Sequence, residues 1–250
     1  TAPTISSVSL ASDNSTIAVT FSEAVYTTTD AATALVVGDF AFSISGGTAT
    51  LSSATPSSIS ISGNVYTLGI SLSGTPDGGE TLTVNPLTAT AIYDTGGNAA
   101  AASQSNNTAT LNDQTAPSAF TTGTVTTTGG TVTSGYWNST NTGLSVSVPI
   151  DNDASLTDGT VQLKGKTGSN SYADLGSAVT ITSSDLDGTI SATATAAQFE
   201  ALTGFADAAA DTITAVITDK VGNSTTGTVS ATVLTIDQTA STVSSVTSST

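Results

Sequence analysis

The chain has 250 residues and lacks Cys, Met, His and Arg, so its only cationic side chains are three Lys. Each absence closes a class of chemistry. Without Cys no disulfide can staple the fold, and without Cys and His no thiolate or imidazole metal site can form. The usual nucleophile–base pairs of covalent catalysis are missing for the same reason. A chain with no thiol to oxidise suits an oxidising exterior. Against 3 Lys stand 19 Asp+Glu, a formal charge of −16. Such a surface repels nucleic acid and anionic lipid, which need basic contacts. No apolar run approaches the ~18 residues of a membrane span, and no charged-then-apolar leader opens the chain. The start at Thr1 reads as a mature or excised end. Only 9% of residues are charged, so the acids are sparse and their placement carries information.

Ser, Thr, Gly and Ala dominate what is present, and the apolar residues among them recur with period two. Ile17, Val19 and Phe21 alternate with Ala and Thr, and similar alternation with Thr, Gly, Ser or Pro runs through Tyr66, Leu68, Ile70 and Leu72, then Leu144, Val146, Val148 and Ile150, then Val179 and Ile181, then Val229, Ala231 and Val233. Strict alternation puts one face on a core and the other in solvent. Turn signals separate the runs: Gly46-Gly47, Gly63-Asn64, Pro76-Asp77-Gly78-Gly79, Gly129-Gly130, Asp158-Gly159 and Gly168-Ser169-Asn170. Many short strands between Gly-rich turns predict an all-β chain of antiparallel sandwiches. A single helical turn is expected over 194–202, with Phe199 and Leu202 facing in.

Two phrases recur. N-D-Q-T-A-P at 112–117 returns as I-D-Q-T-A-S at 236–241, and the chain itself begins T-A-P. These read as joints between tandem units. They divide the chain into a β-sandwich over 1–113, a second over 114–237, and the first strand of a further, truncated repeat over 238–250. D-x-x-G-N occurs at Asp94–Asn98 and again at Asp219–Asn223, each time between the last two predicted strands. The Gly permits a positive φ, and the Asp and Asn offer oxygens on one side of the loop. Oxygen sets of this kind suit Ca²⁺. The same pair also forms ordinary turns, because Asx side chains bond their own backbone.

In an immunoglobulin-like sandwich the B–C and F–G loops share a pole with the incoming chain. In the second unit that pole would collect Asp113, then Asp151, Asp153 and Asp158 of the B–C loop, then Asp219 and Asn223. In the first unit it would collect Glu23, Asp94 and Asn98. Asp237 would serve the next repeat. Several carboxylates in one place demand a cation or raised pKa values, and Lys220 is the single Lys nearby. Asp13, Asp77 and Glu80 are expected at the opposite pole of the first unit, within reach of a cation beside Asp113.

T-A-P-T-I-S-S-V-S-L (1–10), S-T-I-A-V-T-F-S-E-A-V (15–25) and I-Y-D-T-G-G-N (92–98) resemble the bacterial immunoglobulin-like repeats of very large secreted surface proteins. V-P-I-D-N-D-A-S-L-T-D-G-T-V-Q-L (148–163) and V-I-T-D-K-V-G-N (216–223) resemble a sister type. The resemblance covers nearly the whole chain. It implies tandem immunoglobulin-like sandwiches arranged head to tail, secretion to the cell surface, and stiffening by Ca²⁺, with Glu23, Asp94, Asn98, Asp113, Asp219, Asn223 and Asp237 at the motif positions. One departure is Ala240-Ser241, where Ala-Pro is expected.

The function expected is therefore a Ca²⁺-rigidified spacer or filament segment of an adhesin or fibre, touching neighbouring repeats of its own chain and able to self-assemble into a fibre or lattice. The alternatives are a surface-layer lattice protein and an adhesion module for a surface glycan or protein. Sugar binding would want an exposed aromatic, and the one Trp, Trp137, is expected to pack instead. No enzyme is expected: paired carboxylates can cleave glycosides, but these acids sit at turns. Asn14, Asn106, Asn138 and Asn223 each begin an N-x-S/T sequon, as chance allows in a chain so rich in Ser and Thr. Open sheet edges would allow sideways pairing of copies.

Overall fold

The computed structural model describes residues 1–240, and the expected first strand of a further repeat falls largely outside them. The fold is all-β. Two compact units divide between Thr115 and Ala116. Among the described residues no helix is long and apolar enough to cross a membrane.

The first unit carries β1 (Ile5–Leu10), β2 (Thr16–Phe21), β3 (Val25–Tyr26), β4 (Phe40–Ser45), β5 (Thr50–Leu51), β6 (Ile59–Ser62), β7 (Val65–Gly69), β8 (Leu72–Ser73), β9 (Thr81–Pro86), β10 (Tyr93–Asp94) and β11 (Thr108–Thr110). A four-stranded sheet runs β1-β2-β7-β6 and a three-stranded sheet runs β11-β9-β4, while β10 pairs with β3 and β5 with β8. Every pairing is antiparallel. Alternation sets which residues meet. Ile17, Val19 and Phe21 of β2 and Tyr66 and Leu68 of β7 turn in, towards Phe40 and Phe42 of β4 and Leu82 and Val84 of β9. Each large apolar side chain contributes about 1.5–3 kcal/mol by leaving water. Phe21 and Tyr66 meet edge to face at 5.5 Å, and the buried Tyr66 hydroxyl donates to Val25 O at 3.1 Å, so its polar end is satisfied.

The second unit carries β12 (Val125–Thr128), β13 (Tyr136–Asn138), β14 (Gly143–Ile150), β15 (Thr160–Thr167), β16 (Ala173–Thr180), β17 (Gly188–Thr195), β18 (Ala210–Thr218), β19 (Ser224–Thr226) and β20 (Leu234–Asp237). One sheet runs β12-β14-β17; the other runs β13-β20-β18-β15-β16, with β19 also on β18. All pairs are antiparallel except β13 with β20. The core gathers Leu144, Val146 and Val148 of β14, Val161 and Leu163 of β15, and Ile213, Ala215 and Ile217 of β18.

The helical turn is α1 (Ala196–Glu200), with Phe199 and Leu202 buried as expected. It starts there because Thr195 and Gln198 form a reciprocal capping box. Trp137 is fully buried against Phe199 at 4.7 Å, and its indole N–H donates to Glu200 Oε1 at 3.1 Å. The strand expected through Val229, Ala231 and Val233 does not form. Val229 and Val233 are exposed, while Ser230, Leu234 and Ile236 are buried. Ser230 is admitted to the interior because its hydroxyl donates to Gly123 O at 2.6 Å. In a strand a shift of one residue exchanges the faces, so the even-numbered residues face the core and β20 begins at Leu234.

Candidate functional site

The two D-x-x-G-N phrases fold into the same hairpin. In the first unit Tyr93 bridges Ala99 around the loop, and in the second Thr218 pairs with Ser224. Four hydrogen bonds are common to both. The Asp N–H donates to the Asn carbonyl, at 3.0 Å from Asp94 and 2.9 Å from Asp219, and the Gly N–H donates back to the Asp carbonyl. The Gly takes positive φ in both, +76° at Gly97 and +105° at Gly222. The Asn N–H donates to the Asp Oδ1, at 2.8 Å in the first hairpin and 2.9 Å in the second, and the Asn Nδ2 donates to Oδ2 at 2.8 and 2.9 Å. In the second hairpin Val221 and Gly222 N–H groups also reach Asp219 Oδ1, at 3.0 and 2.7 Å.

These carboxylates are buried, each 3% exposed. A buried carboxylate is tolerated when donors surround it, and here the loop supplies them itself. The side-chain amide of Asn98, and then its backbone N–H, hold the Asp94 carboxyl below its usual range. Asp94 and Asp219 therefore fit the role of turn clamp. Among the described residues no three acidic side chains converge as a metal-holding group.

The other expected ligands fall as follows. Glu23 is half-buried and lies two residues before Val25, the strand partner of Asp94, so it shares the hairpin's end of the first unit. Asp113 belongs to the first unit, at the other end: its Oδ1 accepts from Thr115 N at 2.9 Å, and its Cβ lies 3.1 Å from where a Cβ on Gly78 would be. Asp77 takes the Gly79 N–H and Asp13 takes the Ser15 N–H and hydroxyl, each in a local turn. In the second unit Asp151 is exposed and accepts from Asn152 N, and Asp153 caps a single 3-10 turn through Ser155 N at 2.8 Å. That turn lies against the Asp219 hairpin, because Lys220 N donates to Ser155 O at 3.2 Å. Asp237 is exposed at the end of β20, opposite Asn138. The fold thus brings Asp151, Asp153, Asp219 and Asn223 to one end of the second unit.

Two buried acids were not singled out as structural from the sequence. Glu80 is fully buried rather than at a cation-reaching surface. Its Oε1 accepts from Thr48 N at 2.9 Å and Ala49 N at 2.8 Å, and both its oxygens are reached by Asp77 N. Gly47 makes room for it, since a Cβ there would overlap the Glu80 side chain. Burial pushes the Glu80 pKa up, but these N–H bonds outweigh it and leave the carboxyl below its usual range. Asp211 is the reverse case. It is fully buried on the core-facing side of β18, with neither oxygen hydrogen-bonded. Burial pushes its pKa up. Thr167, opposite in register on β15, offsets part of that without reaching hydrogen-bond geometry.

A cleft of about 390 Å³ also opens in the second unit, between Pro117, Phe120, Pro149, Ile150, Leu156 and Ile217, with Asp151 on its wall. Its lining is mainly apolar.

No protein-family model matches the chain. No curated protein is similar to it at a significant level. Among solved structures, the N-terminal part of the bacterial S-layer protein SbsC is similar over 95% of this chain and 45% of that one, at 18% identity and a TM-score of 0.33. The chain therefore spans less than half of that structure. A superposition this loose carries nothing from that protein to this one.

Proposed function

We propose that the chain is a structural, tension-bearing segment of an extracellular assembly, built from tandem immunoglobulin-like sandwiches. The observation that carries the reading is the repeated hairpin: one hydrogen-bond pattern, made by one phrase, near the end of each of two units. A chain that repeats a unit with its closure is an array. The pairings support the sandwich type. In the first unit β1-β2-β7-β6 and β11-β9-β4 follow the A-B-E-D and G-F-C orders of the constant-type immunoglobulin sandwich. The second keeps the same core pairings, β12-β14-β17 and β18-β15, and sets β16 beside β15 where the first unit has a strand on the opposite sheet.

The ends of each unit support a mechanical role. In the second unit the incoming segment runs parallel to a late one: Thr121 bridges Thr228, Thr122 N donates to Thr228 O at 3.0 Å, and Thr228 N donates to Phe120 O at 2.9 Å. The parallel pair β13–β20 adds a second contact of this kind. Pulling such a pair from its outer ends loads several hydrogen bonds at once, in shear. In the first unit, side-chain amides make the tie. Ile5 N donates to Gln104 Oε1 at 2.9 Å, Asn14 Nδ2 to Asn112 O at 2.8 Å, and Asn112 N back to Asn14 Oδ1 at 2.9 Å. The absence of Cys and the charge of −16 suit an exterior setting. Immunogold labelling of the producing cell tests the setting: label on the envelope or on shed fibres is expected, and label confined to the cytoplasm overturns it.

Calcium is a second reading, confined to the second unit. The observation favouring it is the approach of the Asp151–Asp153 loop to the Asp219 hairpin. Asp151 and Asp153 would supply carboxylate oxygens there, with Asp219 Oδ2 and the loop carbonyls beside them. A Ca²⁺ titration of the melt, repeated with D151N and D153N, tests it. A rise in Tm that both variants reduce supports the site, and an unchanged Tm removes it.

A further inference from the structure

The four N-x-S/T sequons are indistinguishable as sequence, but the fold separates them. Asn14 is 2% exposed, and its amide is spent on Asn112. Asn138 donates through Nδ2 to Thr131 O at 2.7 Å and accepts from Thr140 N and Oγ1. Asn223 donates through Nδ2 to Asp219 Oδ2 at 2.9 Å, inside the hairpin clamp. In all three the nitrogen that would carry a sugar already holds the fold. Asn106 is different. It is exposed, and among the described residues its side chain makes no hydrogen bond. Its backbone sits at φ +56°, in a bend that turns it outward.

The neighbours of Asn106 fix that bend. Asn107 is 6% exposed and donates through Nδ2 to Val84 O and Asn85 Oδ1, both at 2.8 Å. Gln104 N donates to the same Asn85 Oδ1 at 3.1 Å. Thr108, the third sequon residue, is exposed at the start of β11. The motif is therefore held rigid on both sides and open in the middle.

We propose that Asn106 is an N-glycan acceptor, the one sequon of the four whose modification the native fold accommodates. The donor is a lipid-linked oligosaccharide and the catalyst an oligosaccharyltransferase. The Asn106 Nδ2 displaces the lipid phosphate at the anomeric carbon. The N–C bond forms, the C–O bond breaks, the leaving phosphate keeps the electron pair, and the amide gives up one proton. The opportunity for this step rests on the extracellular setting proposed above. β11 is an edge strand, so a bulky hydrophilic chain beside it would also cover an open ladder.

The test is to secrete the chain from a eukaryotic cell line, isolate the folded fraction, and release glycans enzymatically in heavy-oxygen water, which marks each formerly glycosylated Asn for peptide mass spectrometry. The expected result is a mark at Asn106 alone. N106Q and T108V should each remove it while leaving the melting transition of the first unit in place. Unmodified Asn106 in the folded chain, or a mark at Asn14, Asn138 or Asn223 in that fraction, overturns the assignment. The immunogold result bears on the setting alone, so the two readings fail separately.

Discussion

Two buried carboxylates respond to pH in opposite ways. Glu80 is held below its usual range. Its contribution is present above the unfolded value and is lost as pH falls through the folded one. Glu80→Ala strands the Thr48 and Ala49 N–H groups at a cost of roughly 1–3 kcal/mol for each buried donor. The first unit should therefore melt earlier, which calorimetry at neutral pH checks. Asp211 is raised. Whatever stability its protonated form gives is complete below the unfolded carboxylate value and declines as pH rises through the folded one. Asp211→Asn keeps the shape and removes the charge. It should stabilise the second unit at neutral pH, by a margin that shrinks as pH is lowered into the carboxylate range. A margin that is constant with pH would mean Asp211 does not titrate in the fold. Neither role was legible in the sequence. Glu80 stands in P-D-G-G-E, a turn phrase that reads as solvent, and its partners lie 31 and 32 residues away. Asp211 reads as a strand-end acid, and only the register with Thr167 places it inside.

At the scale of elements, the hairpins and strands were the legible part. Period two located β2, β7, β14 and their buried faces, since a face is a local property of alternation. It failed at 229–233, where apolar residues fall on the exposed parity and the inward position is a Ser satisfied by Gly123 O. The D-x-x-G-N loops were placed correctly between late strands, and the Asx bonding to their own backbone that the phrase also predicts is present. The pattern D-x-x-G-N fits a ligand loop and a self-bonded turn equally well as sequence. Asp219→Ala discriminates further. If the carboxylate is a turn clamp, the variant should lower the melting temperature of the second unit by the same amount in EDTA and in Ca²⁺. A loss seen only in Ca²⁺ would assign Asp219 the ligand role.

The described chain is two compact all-β units in sequence, each with an early segment tied to a late one. The ties differ in kind. Backbone bonds in parallel register hold the second unit, and the Asn14 and Gln104 side chains hold the first. The second should therefore resist force better, because parallel backbone bonds share a load along the chain, whereas isolated amide contacts break in turn. The most direct measurement is single-molecule extension of the chain held by its two ends. The account predicts two separate unfolding steps, each releasing on the order of 400 Å of chain, with the weaker step abolished or lowered by N14A. A single merged step, or smooth lengthening without a step, would contradict a tension-bearing array of independent units.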